Sequence, residues 1–438
     1  VRSFLLLREK LRAMLEIQAI RNHTEKVIKG LEARHIKDAA SQVHQLIELD
    51  DKRRKILTSL EGSRQEMNQT AKSIGKLIGQ GKKEEAEAAK ARTSSLKASI
   101  QEDEKELKSV EDARFELLVS FPNTTHESVP VGTNEEDNEV IYRNDIEVKF
   151  DFDTKPHWDL AVQHNLISWE LGVKLTGAGF PVYIGKGAKL QRALISWFLD
   201  RAADAGYLEV QPPLVVNEAS GFATGQLPDK EGQMYHITEE NFYLIPTAEV
   251  PITNLFRNVI LKEEELPVKR CGYTPCFRRE AGSYGKDVKG LNRLHQFDKV
   301  EIVHISHPDK SYETLEGMID HVCSLLQDLG LPFRKLLLCT GDTSFASAKT
   351  VDMEVYSAAQ GRWLEVSSVS NFETFQTNRL KLRYRDENKK TKFAHSLNGS
   401  ALALPRILAA LIENNQQADG SILIPEVLRP YTGFDKIG

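Results

Sequence analysis

At 438 residues, 40% of them hydrophobic, the chain is long enough for two folded, soluble domains with a sizeable core. Lys and Arg number 58 against 63 Asp and Glu, and the net charge of -5 excludes a whole-molecule field that attracts nucleic acid, so any such contact falls to local patches. No apolar run approaches the roughly 20 residues that cross a bilayer. The thiols Cys271, Cys276, Cys323 and Cys339 form neither a zinc-binding set of CxxC pairs nor a disulfide framework, which leaves reduced, incidental cysteines.

In chain order the first strong pattern is a heptad. From Ala39 to Phe121 glycine is sparse, proline is absent, and apolar residues fall at 3-4 spacing. One seam runs through Val43, Leu46, Leu57, Leu60, Met67, Ala71, Ile74 and Ile78, broken by Asp50, Arg53 and Arg64. A second runs through Ala86, Ala89, Leu96, Ile100, Leu107, Val110, Leu117 and Phe121, broken by Thr93, Asp103 and Arg114. Between them Gly79 and Gly81 stop the first helix and permit a reversal, so the spacing predicts an antiparallel helical hairpin. With about 40 residues per arm and ~1.5 Å per residue, it reaches roughly 60 Å and projects into solvent. Such an arm most often serves dimerisation or spacing, and its Lys/Arg and Asp/Glu are about balanced.

Residues 122–157 mix prolines, glycines and acidic clusters such as Glu135-Glu136-Asp137, which is linker composition and sets a domain boundary. Beyond it, Leu190 to Ala205 has amphipathic helical spacing, and Gly206 to Pro213 reads as a strand ending at prolines. Leu244 to Val250 also reads as extended, with Thr247 and Glu249 facing one pocket through their i,i+2 spacing.

The most informative stretch is Pro275 to Val303. A strand-like run from Gly272 to Glu280 breaks at the small-residue turn Ala281–Gly285, and a second run goes from Leu291 to Ile305. Alternation puts Arg278 and Glu280 together, and lines Arg293, His295, Phe297, Lys299 and Glu301 along one side. Guanidinium groups for phosphate oxygens and a flat ring for a base are what a nucleoside triphosphate needs, although a solvated sheet face has the same composition. Further on, Arg362 to Asn371 offers Glu365 and Ser368 as oxygen donors suited to Mg²⁺. Three residues apart, they face opposite ways on an ideal strand, so a bulge or strand end is required to unite them. The last segment, Ser396 to Arg406, leads into an apolar helix from Ile407 to Asn414.

Taken together, Phe277-Arg278-Arg279-Glu280-Ala281-Gly282-Ser283, then Gly290-Leu291-x-Arg293-x-His295-Gln296-Phe297-x-Lys299-Val300-Glu301, resembles motif 2 of class II aminoacyl-tRNA synthetases in the form carried by bacterial-type seryl-tRNA synthetases. The likeness runs through most of the chain. Gly206 to Pro213 resembles motif 1, a dimer-interface element. Thr247-Ala248-Glu249 resembles the seryl Thr-x-Glu segment, and Ser396 to Arg406 resembles motif 3. Two departures are visible: Val369 stands where many relatives have Cys, and Ser400 where they often have Thr.

The resemblance implies an α+β fold, with a class II antiparallel sheet and flanking helices following an N-terminal coiled-coil arm. It divides the chain into an upstream extension at 1–13 ahead of Met14, a tRNA-binding domain at 14–121, a linker at 122–157 and a catalytic domain at 158–438. It implies serine activation by ATP, then transfer to tRNA(Ser), and also tRNA(Sec), by a cytoplasmic homodimer without membrane association. L-serine would be bound by Thr247, Ala248, Glu249, Glu301 and Ser400. ATP would meet Arg278 at the α-phosphate, Arg279, Glu280 near the adenine amino group, Arg293 at the γ-phosphate, and Phe297 opposite Arg406 on the adenine faces, with Arg278, Glu280 and Arg293 as the catalytic set. Glu365, Val366, Ser367 and Ser368 would line the nucleotide, Glu365 and Ser368 holding Mg²⁺ through ATP. Arg53, Arg54, Lys55, Lys72, Lys76, Lys82 and Lys83 could meet RNA phosphates. Two competitors are an amino-acid:carrier-protein ligase, which should lack the arm, and a non-catalytic RNA-binding relative, which should have lost site residues such as Arg278, Glu301 or Arg406.

Overall fold

The computed structural model describes residues 17–229, 232–280 and 289–438, so the 1–13 stretch, the Met14 start and the Ala281–Gly285 turn lie outside the described residues. The chain divides into two compact units, Val1–Pro122 and Asn123–Gly438.

In the first unit the two long seams become helices α3 (Ala39–Gly79) and α4 (Lys83–Ser120), which follow short helices α1 (Ile17–Asn22) and α2 (Thr24–Ala33). The reversal uses Gly81 at φ 76°, a left-handed conformation that glycine adopts without a Cβ clash. At the base, Ile20, Val27, Ile28 and Leu31 pack against Val43, Leu46, Leu118 and Phe121. Farther along, Ile56, Leu60, Ile100 and Val110 form a second cluster. The seam differs from expectation in two ways. Ile56, not Leu57, is the fully buried neighbour of Leu60, and towards the reversal the apolar seal fails, with Ile78 55% exposed.

The charged interruptions of the two seams find partners on the opposite helix. Asp50 is buried and pairs with Arg114 on the opposite helix at 3.1 Å, with Arg54 at 3.0 Å and with Arg21 of α1 at 3.1 Å. Arg53 reaches Glu111, Arg64 reaches Glu104, and Ser59 donates to Asp103. A position that breaks the heptad on one helix is thus answered on the other. Of the basic residues singled out on the arm, Arg53, Arg54 and Lys82 are ion-paired, whereas Lys55, Lys72, Lys76 and Lys83 are exposed, with no carboxylate partner among the described residues.

The second unit is built on an eight-stranded sheet among the described residues. Its strands are β1 (Glu139–Arg143), β2 (Leu208–Glu209), β3 (Val268–Phe277), β4 (Gln296–Ser306), β5 (Phe333–Leu337), β6 (Lys349–Ser357), β7 (Arg362–Asn371) and β8 (His395–Ala403). Their spatial order is β1-β5-β6-β7-β8-β4-β3-β2, antiparallel except for the β2–β3 pair at one edge. Alternating Val300 and Ile302 of β4, and Val351, Met353 and Val355 of β6, project to one face. There they meet Leu194, Trp197 and Phe198 of helix α6 (Gly185–Asp204), Leu315 and Met318 of α8 (Ser311–Asp328), and Ile407 and Leu411 of α10 (Leu404–Asn414). Each such side chain contributes about 1.5–3 kcal/mol on full burial. The opposite face carries the polar site. Among the described residues, no helix is long and apolar enough to cross a membrane.

The 122–157 segment is not free linker. Asn123 donates to the carbonyls of Ala346 and Phe372, and β1 pairs with β5 as the outermost strand. All five β1 residues are exposed, so no apolar alternation marked it as a strand. The predicted Gly206–Pro213 strand shortens to β2, where the prolines end pairing.

Candidate active site

The site face is organised by β3 and β4, whose register sets Thr274 against Lys299 and Cys276 against Phe297. Arg278 extends that face: its guanidinium lies 5.2 Å from the Phe297 ring centroid, and its Nε donates to the Pro246 carbonyl at 3.4 Å. Glu280 leaves the alternation. β3 ends at Phe277 and Glu280 has φ 49°, so Arg278 and Glu280 are not strand neighbours; Glu280 turns instead to Arg293, 2.8 Å away. Arg293 and His295 precede the first residue of β4, because Leu291 to His295 spends its backbone groups on other partners: Leu291 on His157, Asn292 on Arg406 and His295 on Gly179. Arg279 is exposed, and its backbone N–H donates to the Gln233 carbonyl.

Deeper on the same face, Glu301 is 2% exposed and forms a buried ion pair with Lys299. Thr247 donates to Glu301 at 2.9 Å, and the backbone N–H of Glu249 donates to Thr247 Oγ1 at 3.2 Å. Thr247 and Glu249 are brought together by a helix start, since α7 (Glu249–Asn254) begins where an extended segment was predicted. Glu249 accepts from Gln376 of helix α9 (Phe375–Leu380) at 2.6 Å, and Ser396 donates to that amide's oxygen at 2.8 Å. Burial, then the Glu301 charge, pushes the Glu249 carboxyl up to about 7, against hydrogen bonds from Gln376 and Asn398. Ser400 sits on β8 directly opposite Glu301. Ala248 is fully buried behind this pocket.

Of the bulge or strand end required on β7, it is a bulge that is present. Ser367 stands opposite Met353 and Glu365 opposite Glu354, which leaves Val366 as the extra residue. Val366 and Ser367 are both buried, Ser367 donating to the Ser400 carbonyl at 2.6 Å, while Glu365 and Ser368 are the more open positions. Both interact with Asp352, whose carboxyl is held well above the usual range by burial and then by the Glu365 charge, against a hydrogen bond from Ser368. Asp352 Oδ1 is buried without a partner. Arg406, in the first turn of α10, donates to the Asn292 carbonyl at 3.1 Å and to the Glu365 carbonyl at 2.8 Å. Two groupings result: Arg278 over the Phe297 ring, and Arg406 bonded to Glu365.

Residues 14–125 match the family model "Seryl-tRNA synthetase N-terminal domain", and residues 234–415 match "tRNA synthetase class II core domain (G, H, P, S and T)". A serine–tRNA ligase of Salinibacter ruber is 52% identical over 426 residues, covering 97% of this chain and 99% of that protein. The chain belongs to the seryl-tRNA synthetase family. A second relative, the serine–tRNA ligase of Chlorobaculum parvum, is 45% identical over 430 residues, 97% of this chain and all of that one. Among solved structures, the seryl-tRNA synthetase from Pyrococcus horikoshii, complexed with ATP, matches with a TM-score of 0.90 at 34% identity, over 97% of this chain and 99% of that chain.

Against the seryl-tRNA synthetase pattern, four side chains of the pocket carried no role in the sequence reading: Lys299, Gln376, Asn398 and Asp352. Lys299 was visible as a member of the strand face. Gln376 and Asp352 lie in segments with no local motif, and only the pairing of β6 with β7 brings Asp352 to Glu365 and Ser368.

Proposed function

We propose that this seryl-tRNA synthetase activates L-serine with ATP, releasing pyrophosphate and forming seryl-adenylate, and then transfers serine to tRNA(Ser). The observation that carries this reading is Glu301, buried with Lys299 and Thr247 and facing Ser400 across the β4–β8 pair. In it Glu301 holds the ammonium group of serine, and Thr247 and Ser400 hold its amino and hydroxyl ends, with Ala248 and Glu249 closing the pocket. A site built to hydrogen-bond a hydroxyl rejects alanine and glycine, because buried polar groups are then left unpaired. Serine's carboxylate attacks the α-phosphorus in line. Arg278 takes charge at the α-phosphate and Arg293 at the γ-phosphate, exchanging Glu280 for the nucleotide, while Glu280 turns to the adenine amino group. Phe297 and Arg406 cover the two adenine faces, and Arg279, Val366 and Ser367 complete the nucleotide wall. The protein contributes positioning and charge stabilisation rather than covalent chemistry.

Mg²⁺ fits the Glu365, Ser368 and Asp352 group, since these are hard oxygen donors and one buried Asp352 oxygen has no partner. When bound through ATP it neutralises phosphate charge. Arg406, donating to both the backbone and side chain of Glu365, orients that carboxylate.

The arm is the element we assign to tRNA(Ser), and by the same contacts to tRNA(Sec), with exposed Lys55, Lys72, Lys76 and Lys83 meeting backbone phosphates. A homodimer through the motif 1 region is supported by exposed Leu208, Leu214 and Val215. The working compartment in this reading is the cytoplasm, where tRNA is charged.

The test is amino-acid-dependent exchange of labelled pyrophosphate into ATP with serine, threonine, alanine, glycine and cysteine, without tRNA. Exchange with serine alone is expected, and Glu301→Ala should abolish it while the fold persists. Absence of exchange with every amino acid, from folded protein, points to a non-catalytic RNA-binding role.

A further inference from the structure

Outside the ATP and serine contacts, one polar cluster is built on a fully buried His157–Glu413 pair and closes on itself. His157, at the start of helix α5 (His157–Gln163), is 0% exposed. Its Nδ1 lies 2.7 Å from Glu413 Oε1 on α10, and its backbone N–H donates to the same oxygen at 3.0 Å. Burial works against ionisation of Glu413, but the bonds from His157 and Ser357 outweigh it and hold the carboxyl below its usual range. The Leu291 backbone N–H points at Nε2, so that nitrogen presents a lone pair and the ring proton is assigned to Nδ1, facing Glu413. That lone pair accepts the Leu291 backbone N–H at 2.9 Å.

The ring closes through the next residue. Asn292 donates from its side chain to Gln360 at 3.0 Å, and Gln360 donates to Glu413 Oε1 at 3.2 Å. Gly290 allows the close approach: it has φ 67°, and a Cβ there would lie 2.2 Å from His157 Nε2. Three elements therefore grip two consecutive residues, Leu291 and Asn292, and those residues lead directly to Arg293. Arg406, two helical turns before Glu413 on the same α10, holds the Asn292 carbonyl.

We infer that His157 and Glu413 are positioning residues for ATP activation: by fixing Leu291 and Asn292 they set where Arg293 and Arg406 stand against the nucleotide. A rigid hydrophobic core would serve stability equally well, and a satisfied buried polar ring is costly to break and specific in geometry. Neither residue touches substrate in this scheme. The inference rests on the proposed function, because it assigns the two arginines to ATP.

The test is steady-state pyrophosphate exchange by the full-length protein, with thermal unfolding measured in parallel. His157→Phe keeps an aromatic ring, a somewhat larger one, and removes both side-chain bonds, and Gln360→Leu breaks the ring at a half-buried turn position. Both are expected to raise KM for ATP about 10- to 100-fold, with KM for serine nearly unchanged, since small misplacements of positioned groups cost rates of this order. Glu413→Gln retains an acceptor for His157 and should restore most of the ATP affinity relative to Glu413→Ala. If His157→Phe fails to fold, Gln360→Leu and the Glu413 pair decide the matter. Equal rises in both KM values, or a lowered unfolding temperature with unchanged KM for ATP, would overturn the inference and leave the ring a structural element. Absence of serine-dependent exchange in the unsubstituted protein instead sinks the proposed function.

Discussion

Glu249 illustrates how single residues are tuned here. Its carboxyl, fully enclosed beside Glu301, titrates at about 7 instead of near 4.5. The folded chain therefore keeps a proton that the unfolded chain has released, so this contribution to stability is fully present below about pH 4.5 and is lost as pH rises to 7. Glu249→Gln should be more stable than the parent at pH 8 by on the order of 2 kcal/mol, and no more stable at pH 4.5. Urea unfolding at the two pH values checks this, and identical pH dependence in both proteins would contradict it. Thr247, Glu249, Glu301 and Ser400 were legible because each falls in a short motif with recognisable chemistry. Their partner Gln376 was not, because a hydrogen bond across 127 positions, as between Gln376 and Glu249, leaves no local pattern. The positive φ of Glu280 was equally hidden, since backbone alternation is the default expectation for a charged run.

Among elements, the helical hairpin was the most legible, because heptad spacing and two glycines determine helix, seam and reversal together. What spacing could not supply was the pairing of exceptions. Asp50 and Arg114 each broke a seam in the sequence, yet they form one cluster with Arg21 and Arg54 around the buried Asp50 carboxylate. Asp50→Ala leaves cations facing each other in a poorly solvated position and should cost about 3 kcal/mol, read as a lower midpoint of helix loss in denaturant. The double variant Asp50→Ala with Arg114→Met should recover part of that loss, and purely additive effects would show that the two residues do not interact. The β7 bulge had the opposite history: uniting Glu365 and Ser368 required a bulge or a strand end, and the strand carries the bulge. The edge strand β1 escaped notice because exposure on all five residues removes the alternation by which strands are read.

At the scale of the whole molecule, the second unit carries a pH liability on its far side. His304 of β4 and His321 of α8 flank the Tyr207 ring, with Lys269 Nζ 5.6 Å from its centroid. Burial first, and then neighbouring cationic groups, lower them to about 3 and about 4. Their stability contribution is full above the ordinary histidine value near 6.5 and is lost as pH falls towards 4 and 3. Neither ring nitrogen of His304 has a hydrogen-bond partner, so His304→Leu strands no group at pH 7.5. It should be near neutral there and stabilising by on the order of 2 kcal/mol at pH 4.5, which denaturant titrations at both values test. Fold class was legible from motifs, whereas strand order was not, because non-consecutive pairing is a property of the closed sheet. That order has a bearing on how the chain is made. β8, the last of the eight strands to be synthesised, enters the middle, between β7 and β4. Until it does, β1-β5-β6-β7 and β4-β3-β2 are separate half-sheets with raw edges, and the face that holds Glu301 lacks Ser400, Asn398 and Arg406. A ribosome that stops short of residue 395 releases a chain that can neither close its sheet nor bring Ser400, Asn398 and Arg406 to the Glu301 face.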